Sequence, residues 1–515
     1  MIISDNKMQM EPTSSITAIS SIAQGLIVIL AIVIIKQYAS TGTVNISSSN
    51  STPLELKGYR RLGLSPDQSN IRDEYDPKYE CSNTNPNLQK KKSTSYSYSS
   101  NESDKDEMAM GNNSIDNSNL NKPTCHIKAL FTYPIKSCAG IELDVAHVVP
   151  EGIKYDRTFC FAEAVPNDNG ASVSAGEKSE LNNANSGGNS QFHWQARTMR
   201  NGRFSRLALV RPEIWIPDEE EEGEGNGYNK GQLSDSISSV GKNQPGIMTI
   251  SYPRVPNSII TKLGMILGLI SNECTFQVPL FPSEDSPSPI PVKIWKDTPL
   301  AYDYGQYIPQ SFLDFIYKDR EQEGRATTTT TAAGTRRRIS TTKPSKPKPH
   351  LTLFRITPNP NHKRKLFRNA PRKQTLGFQP ITDFADAYPL HLLNLASARD
   401  VAARCRRYIP HLSVRRFRAN IIIHGLEAFA EDNWKFIRIQ RHNTARMNVD
   451  NVDHVDVHAV SRTIRCRLPN VDPDTGVRHE SEPDRTLRSY RCIDAGEPRF
   501  ACLGMQLVPA QPGMF

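Results

Sequence analysis

From Cys125 onward the apolar residues of this chain come in short runs, and most of those runs alternate with the period of a strand. HIKALFTYPIKSC opens the series. VAHVVPEGIKYDRTFCFAEA continues it around a Pro-Glu-Gly turn, and RLALVRPEIWI, MTISYP, FQVPLF, VKIWKDTPLAYDYG and LTLFRIT follow. RRFRANIIIHG reads as a strand with a basic start. Helical spacing is confined to PQSFLDFIYKD and PLHLLNLASARDVAARC, and SRTIRCRLPNVDPDTGVRHESEPDRTLRSYRC reads as strands, a turn and a short helix. Many short strands with few helices between them predict a β-rich α+β chain of two barrel-like domains rather than a doubly wound parallel sheet.

Polar, low-complexity stretches limit how much of the chain can pack. Residues 40–122 contain SYSYSS and GNNSIDNSNLN, which bury too little apolar surface to offset ordering, and are expected to be a disordered linker. Pro166 to Ser190 and the acidic run Asp218 to Glu224 read as loop insertions. Residues 322–348, with Thr327 to Thr331 and Arg336 to Arg338, form a third. About 300 residues remain for cores, enough for two domains, expected over 123–321 and 349–515. Before the linker, Ile16 to Ile35 holds twenty uncharged residues, and a helix of that length would span about 30 Å. Lys36, Lys57, Arg60 and Arg61 follow this run and only Lys7 precedes it, which predicts a single-pass anchor with the C-terminal part in the cytosol. An outer mitochondrial and an endoplasmic-reticulum membrane fit this pattern equally. The net charge of +9 comes without a nucleic-acid-binding motif, so no nucleic-acid partner is expected.

The nine cysteines are Cys81, Cys125, Cys138, Cys160, Cys274, Cys405, Cys466, Cys492 and Cys502. Their number is odd and no two have C-x-x-C spacing, which argues against a zinc site and for reduced thiols. Cys466 stands apart because Arg462, Arg465 and Arg467 lie within four positions of it. Nearby positive charge favours a thiolate, the species that binds metal or attacks as a nucleophile. The turn Val471-Asp-Pro-Asp-Thr-Gly476 just beyond it can present such a thiol at the rim of a cavity. Lys136 and Ser137, Arg157, and Arg418 and Asn420 sit beside predicted strands, a mixture of charge and neutral hydrogen-bonding groups suited to a phosphorylated, acceptor-rich ligand. No nucleophile elbow, phosphate-binding P-loop or dinucleotide fingerprint occurs. His391, His411 and His424 do not have the spacing of metal ligands.

Four stretches in order resemble the MOSC family, named for the molybdenum cofactor sulfurase C-terminal domain. They are Tyr133-Pro-Ile-Lys-Ser-Cys-Ala-Gly140 with Gly152-Ile-Lys-Tyr-Asp-Arg157, then Asp386-Ala-Tyr-Pro-Leu390. Arg416-Phe-Arg-Ala-Asn420 running to Trp434 follows, then Arg465-Cys466 through Asp472-Pro-Asp-Thr-Gly476 to Arg491. Within the family the resemblance runs to the membrane-anchored amidoxime-reducing components. It implies a MOSC N-terminal β-barrel domain followed by a MOSC β-barrel domain, and a molybdenum cofactor (molybdopterin) with Cys466 as the metal's thiolate ligand. It further implies that Lys136, Ser137, Arg157, Tyr388, Arg418, Asn420, Arg465 and Thr475 hold the pterin and its phosphate. The implied reaction is two-electron reduction of an N-hydroxylated substrate, with electrons from a cytochrome b5 and its NADH-dependent reductase. A carrier role, with Cys466 holding sulfur as a persulfide or holding cofactor for delivery, and a degenerate binding module stay open. Two departures stand out: Ala419 occupies a position where the family commonly has Pro, and the chain ends at Phe515 without a Val-Gly-Asp-like closing strand, which predicts an incompletely closed barrel.

Overall fold

The computed structural model describes residues 56–79, 125–167, 192–218, 246–317, 350–440 and 454–515. The expected span over 16–35 and the insertion over 322–348 lie outside the described residues. Among the described residues no helix is long and apolar enough to cross a membrane.

Strands dominate, as the alternation predicts. Phe159–Pro166, Phe192–Ala196, Ile290–Lys293, Leu300–Asp303 and Leu351–Ile356 close into a five-stranded barrel. The inward residues Cys160, Ala162, Val292, Ala301, Phe354 and Ile356 fill it, with Phe384 from a later loop. Small residues on Phe159–Pro166 pair with larger ones on Leu351–Ile356, Cys160 with Phe354 and Ala162 with Thr352, as the space inside so narrow a barrel requires.

The second large element is a mixed sheet of seven strands. Its order is Phe436–Gln440, His454–Ile464, Cys502–Pro509, Leu390–Asn394, Ile421–His424, His126–Thr132 and Ile141–Leu143. Leu390–Asn394 is central, parallel to Ile421–His424 and antiparallel to Cys502–Pro509. All five of its residues are buried, as a strand covered on both faces requires. The expected second barrel is therefore an open sheet. One of its edges is covered by the N-terminal segment: the Leu64 amide donates to the Glu142 carbonyl at 2.8 Å. Gly63, at φ +84, permits this approach, because a Cβ there would lie 2.2 Å from that carbonyl oxygen. The C-terminal residues are tied down as well. Gly513–Met514 pairs with His147–Val149, and Phe515 and Ala146 exchange two backbone hydrogen bonds.

Two further sequence expectations need correction. PLHLLNLASARDVAARC is not one helix. Asn394 caps the helix Leu395–Cys405 by accepting from the Ala396 amide, and the residues before it belong to the central strand. The stretch expected as linker contains residues 56–79, which pack on the domain. Tyr59–Arg61 pairs with Arg211–Pro217, Leu56 and Ile71 are buried, and the Glu74 carboxylate accepts from the Val414 amide at 2.6 Å. A few well-placed apolar residues and one buried carboxylate hold a segment whose average composition is polar.

Candidate cofactor site

One row of residues crosses three strands of the open sheet and reaches the residue before a fourth. Ser461 pairs with Gln506, Gln506 with His391, and the His391 carbonyl accepts from the Asn420 amide. The strand His454–Ile464 is irregular here, with register shifts between Ala459 and Ser461 and again between Arg462 and Ile464. Bulges re-aim side chains, and Ser461, Arg462, Thr463, Ile464, Arg465 and Cys466 all line one cavity as a result. The cavity measures about 940 Å³ including its open mouth. Lys136, Ser137, Arg157, Asp386, Tyr388, His391, Arg418, Asn420 and Gln506 complete the polar part of its wall.

The three loops that bring the basic residues together are locally strained. Ser137, Arg157 and Arg418 have φ of 69°, 52° and 55°, a region that costs a side-chain-bearing residue about 1–3 kcal/mol and concentrates at functional sites. Packing over-determines the two arginines. The Arg157 and Arg418 guanidiniums lie 4.5 and 4.3 Å from the centroid of the buried Tyr133 ring, an arrangement that stabilises both cations. Arg157 donates to Asp156, to Asn420 and to the Arg418 carbonyl, and Arg418 donates to the Cys138 carbonyl. Asn420 donates in turn to Phe131 and Asp156. With the His391 amide also donating to it, the Asn420 side chain has every polar atom engaged within the chain and holds the basic residues in place at the cavity wall.

Five cations and one carboxylate line the cavity. Lys136 donates to the Phe384 carbonyl at 2.8 Å and to Asp386 at 2.5 Å. Burial pulls the Lys136 ammonium down, and Asp386 opposes that. Enclosure would raise the Asp386 carboxyl, but the charge and hydrogen bond of Lys136, together with Arg157 and Arg418, outweigh that and hold it at about 2, although 56% of its side-chain surface is open. Burial, reinforced by Arg157, takes Arg418 down to about 10. Burial, opposed by Cys466, does the same to Arg465. Both stay cationic at neutral pH. His391 is driven well below its usual range by burial and by Arg465 and Arg157, so its ring is neutral.

Cys466 is half-buried just beyond the end of His454–Ile464. Of the three arginines near it in sequence, only Arg465 shares the cavity wall in a buried position, donating to the Phe417 carbonyl. Arg462 reaches towards Asn433 and Asp494, and the exposed Arg467 towards Asp484. Tyr388 lines the cavity and donates to the Arg368 carbonyl at 2.6 Å. Thr475 is not part of this wall. It lines a different cavity with Arg206, Arg254 and Arg478. Its turn is fastened to the site from behind: Asp472 accepts from the Thr475 amide and from Arg416, two residues before Arg418. Sequence reasoning missed His391, Asp386, Gln506 and Ser461 as wall residues. Asp386 lay in a quoted motif. The other three are joined only by cross-strand register, which no local pattern reveals.

Two segments of the chain match known domain families. Residues 124–196 match the MOSC N-terminal beta barrel domain and residues 380–507 the MOSC domain. The chain thus carries a segment of each domain, in that order. Its similarity to curated proteins runs to the mitochondrial amidoxime-reducing components. It is 35% identical to component 1 of Mus musculus over 114 residues, 22% of this chain and 29% of that protein. It is 32% identical to component 1 of Homo sapiens over 134 residues, 25% and 35% of the two chains. For component 2 of Rattus norvegicus the identity is 35% over 111 residues, 22% and 28%. The matched stretch thus spans about a third of the length of these relatives.

Proposed function

We propose that this chain binds a molybdenum cofactor in the cavity beside Cys466 and reduces N-hydroxylated substrates with electrons from a separate redox protein. The observation that carries the reading is the composition of the wall. Lys136, Arg157, Arg418, Arg462 and Arg465 surround a single half-buried thiol, with Asp386 the one acid among them. Such a set is matched by a polyanionic ligand with many acceptors. Unmet hydrogen-bonding capacity points the same way: Arg418 Nη2, Arg465 Nε, Arg462 Nε, His391 Nε2 and Thr463 Oγ1 are buried without partners, each a cost that a bound acceptor-rich group can relieve.

The donor set also fits a metal that brings most of its own ligands. Among the described residues no group of three His, Cys, Asp or Glu could hold an ion, so Cys466 would supply one soft thiolate and a dithiolene the rest. When bound, the cofactor supplies two-electron redox chemistry suited to removing a hydroxyl from nitrogen. The chain's own part is to bind and orient. Lys136, Arg157, Arg418 and Arg465 neutralise the phosphate and pterin acceptors. Ser137 and Tyr388 border the same space, and the saturated Asn420 keeps Arg157 and the 418–420 backbone in register. Thr475 acts through the turn that Asp472 ties to Arg416. His391 offers a neutral ring at the floor, able to donate or accept but not to add charge. An anchor over Ile16 to Ile35 in the outer mitochondrial or endoplasmic-reticulum membrane, with the domain in the cytosol, belongs to this reading, and the names of the relatives support the mitochondrial choice.

The test is turnover. Full chain made in a cofactor-producing host is given an amidoxime, NADH, cytochrome b5 and its reductase. Amidine should form at a rate that depends on all three proteins and collapses in Cys466→Ala. A cofactor-loaded wild type that forms no amidine, but releases cyanide-labile sulfur from Cys466, would place the chain among carriers instead.

A further inference from the structure

The strands Ile247–Pro253 and Glu273–Pro279 are joined by a helix, Ile259–Ile266, and the turn after it. The helix is well formed. Ser258 caps it by accepting from the Thr261 amide, and the Leu269 and Ile270 amides return to the Gly264 carbonyl. Gly268, at φ +68, supplies the left-handed residue that ends it. Its side chains are unsuited to water. Ile259 is 87% exposed and Ile266 72%, and Ile260, Leu263, Leu267 and Leu269 are exposed with them, while only Gly264 is buried. At 3.6 residues per turn the five on the helix and its C-cap fall within an arc of about 120°, with Lys262 at its border. Isolated exposed apolar residues need no explanation, but a contiguous stripe marks an interaction surface.

We propose that this helix docks the domain onto an anionic bilayer, lying in the headgroup region with its Ile/Leu stripe inserted. Three observations favour lipid over a protein partner. First, the stripe is purely aliphatic, without the Trp, Tyr or Arg anchors on which protein interfaces depend. Second, from Arg254 to Asn272 the sequence carries two cations, Arg254 and Lys262, and no acid, the charge that a negatively charged leaflet attracts. Third, the apolar run Ile16 to Ile35 ends shortly before Leu56, where the described chain begins, and the stretch between can reach at most about 70 Å. The chain enters the four-stranded sheet at Tyr59, opposite Pro217, whereas the helix leaves it beyond Ser251, which faces Arg211 at the other end. That distance, about 25 Å of strand, is within the tether's reach. The argument from reach rests on the anchoring proposed above, while the helix's own chemistry does not. One weak insertion combined with a tether gives the two signals that stable seating requires.

The test uses full chain reconstituted with vesicles of phosphatidylcholine and phosphatidylserine, carrying Ile266→Trp. Docking predicts a blue-shifted emission from the added tryptophan and its loss to brominated lipid, beyond the wild-type background and weaker without phosphatidylserine. A chain that floats with the vesicles while the added tryptophan stays unquenched overturns the docking and leaves the anchor standing. Cross-linking between copies through position 266, without quenching, assigns the stripe to a second copy and overturns it too. If Ile259→Ser/Ile266→Ser abolishes flotation, the helix holds the membrane and the anchor fails. If wild type does not float at all, both fail. Because both positions are exposed, the double variant should keep wild-type thermal stability.

Discussion

Asn420 engages every polar atom of its amide, accepting from Arg157 and the His391 amide and donating to Phe131 and Asp156. Asn420→Leu would leave two buried charges short of partners and should cost about 3 kcal/mol or more in urea unfolding. A loss below about 1 kcal/mol would contradict the positioning role. Asp383 offers a test by pH. Burial pushes its carboxyl up to about 6, and Lys363, 3.0 Å away, offsets only part of that. The folded state therefore holds this proton more tightly than the unfolded chain does. Its contribution to stability is full below about pH 4 and disappears as pH rises through about 6. Asp383→Asn, uncharged throughout, should lack that decline, as unfolding curves across this pH range would show. At this scale the sequence was legible where chemistry is local. Lys136, Ser137, Arg157, Tyr388, Arg418, Asn420, Arg465 and Cys466 all line one cavity, because each lies next to a turn or strand end that pattern alone can locate. Thr475 belongs to a turn read correctly but aimed elsewhere.

Among the elements, the segment 56–79 shows what composition conceals. Its Glu74 carboxylate is buried, raised by that burial, and fixed to the Val414 amide at the start of the turn that carries Arg418. Glu74→Ala should cost about 1–3 kcal/mol by leaving that amide unpaired. It should also speed amide exchange over residues 413–418, measured by hydrogen–deuterium exchange. Unchanged exchange there would mean that the segment only covers the surface. The alternating runs identify strands because period-two burial is a local property. The start of the helix at Leu395 is masked in the sequence because Leu390–Asn394 is buried on both faces, where helical and buried-strand patterns coincide. Asn394 was the available signal, an N-cap residue at the boundary.

The molecule as a whole is interlaced. Leu351–Ile356 completes the barrel made otherwise of earlier strands, while His126–Thr132 and Ile141–Leu143 complete the sheet made otherwise of later ones. This crossing was not legible, because it depends on pairings between residues hundreds of positions apart. A fragment beginning at residue 349 would expose the Ile421–His424 edge that His126–Thr132 covers. It should aggregate or lack dispersed amide signals in NMR, whereas a soluble, well-dispersed fragment would show the sheet to be self-sufficient.

The central claim is that the basic cavity holds a pterin cofactor whose metal is bound by Cys466. It is tested most directly by measuring molybdenum and released pterin per protein on full chain from a cofactor-producing host, for wild type and Cys466→Ala. The account predicts near-stoichiometric metal and pterin in wild type, and in the variant retained pterin with molybdenum lost or altered. A folded, soluble wild type that carries neither would contradict it.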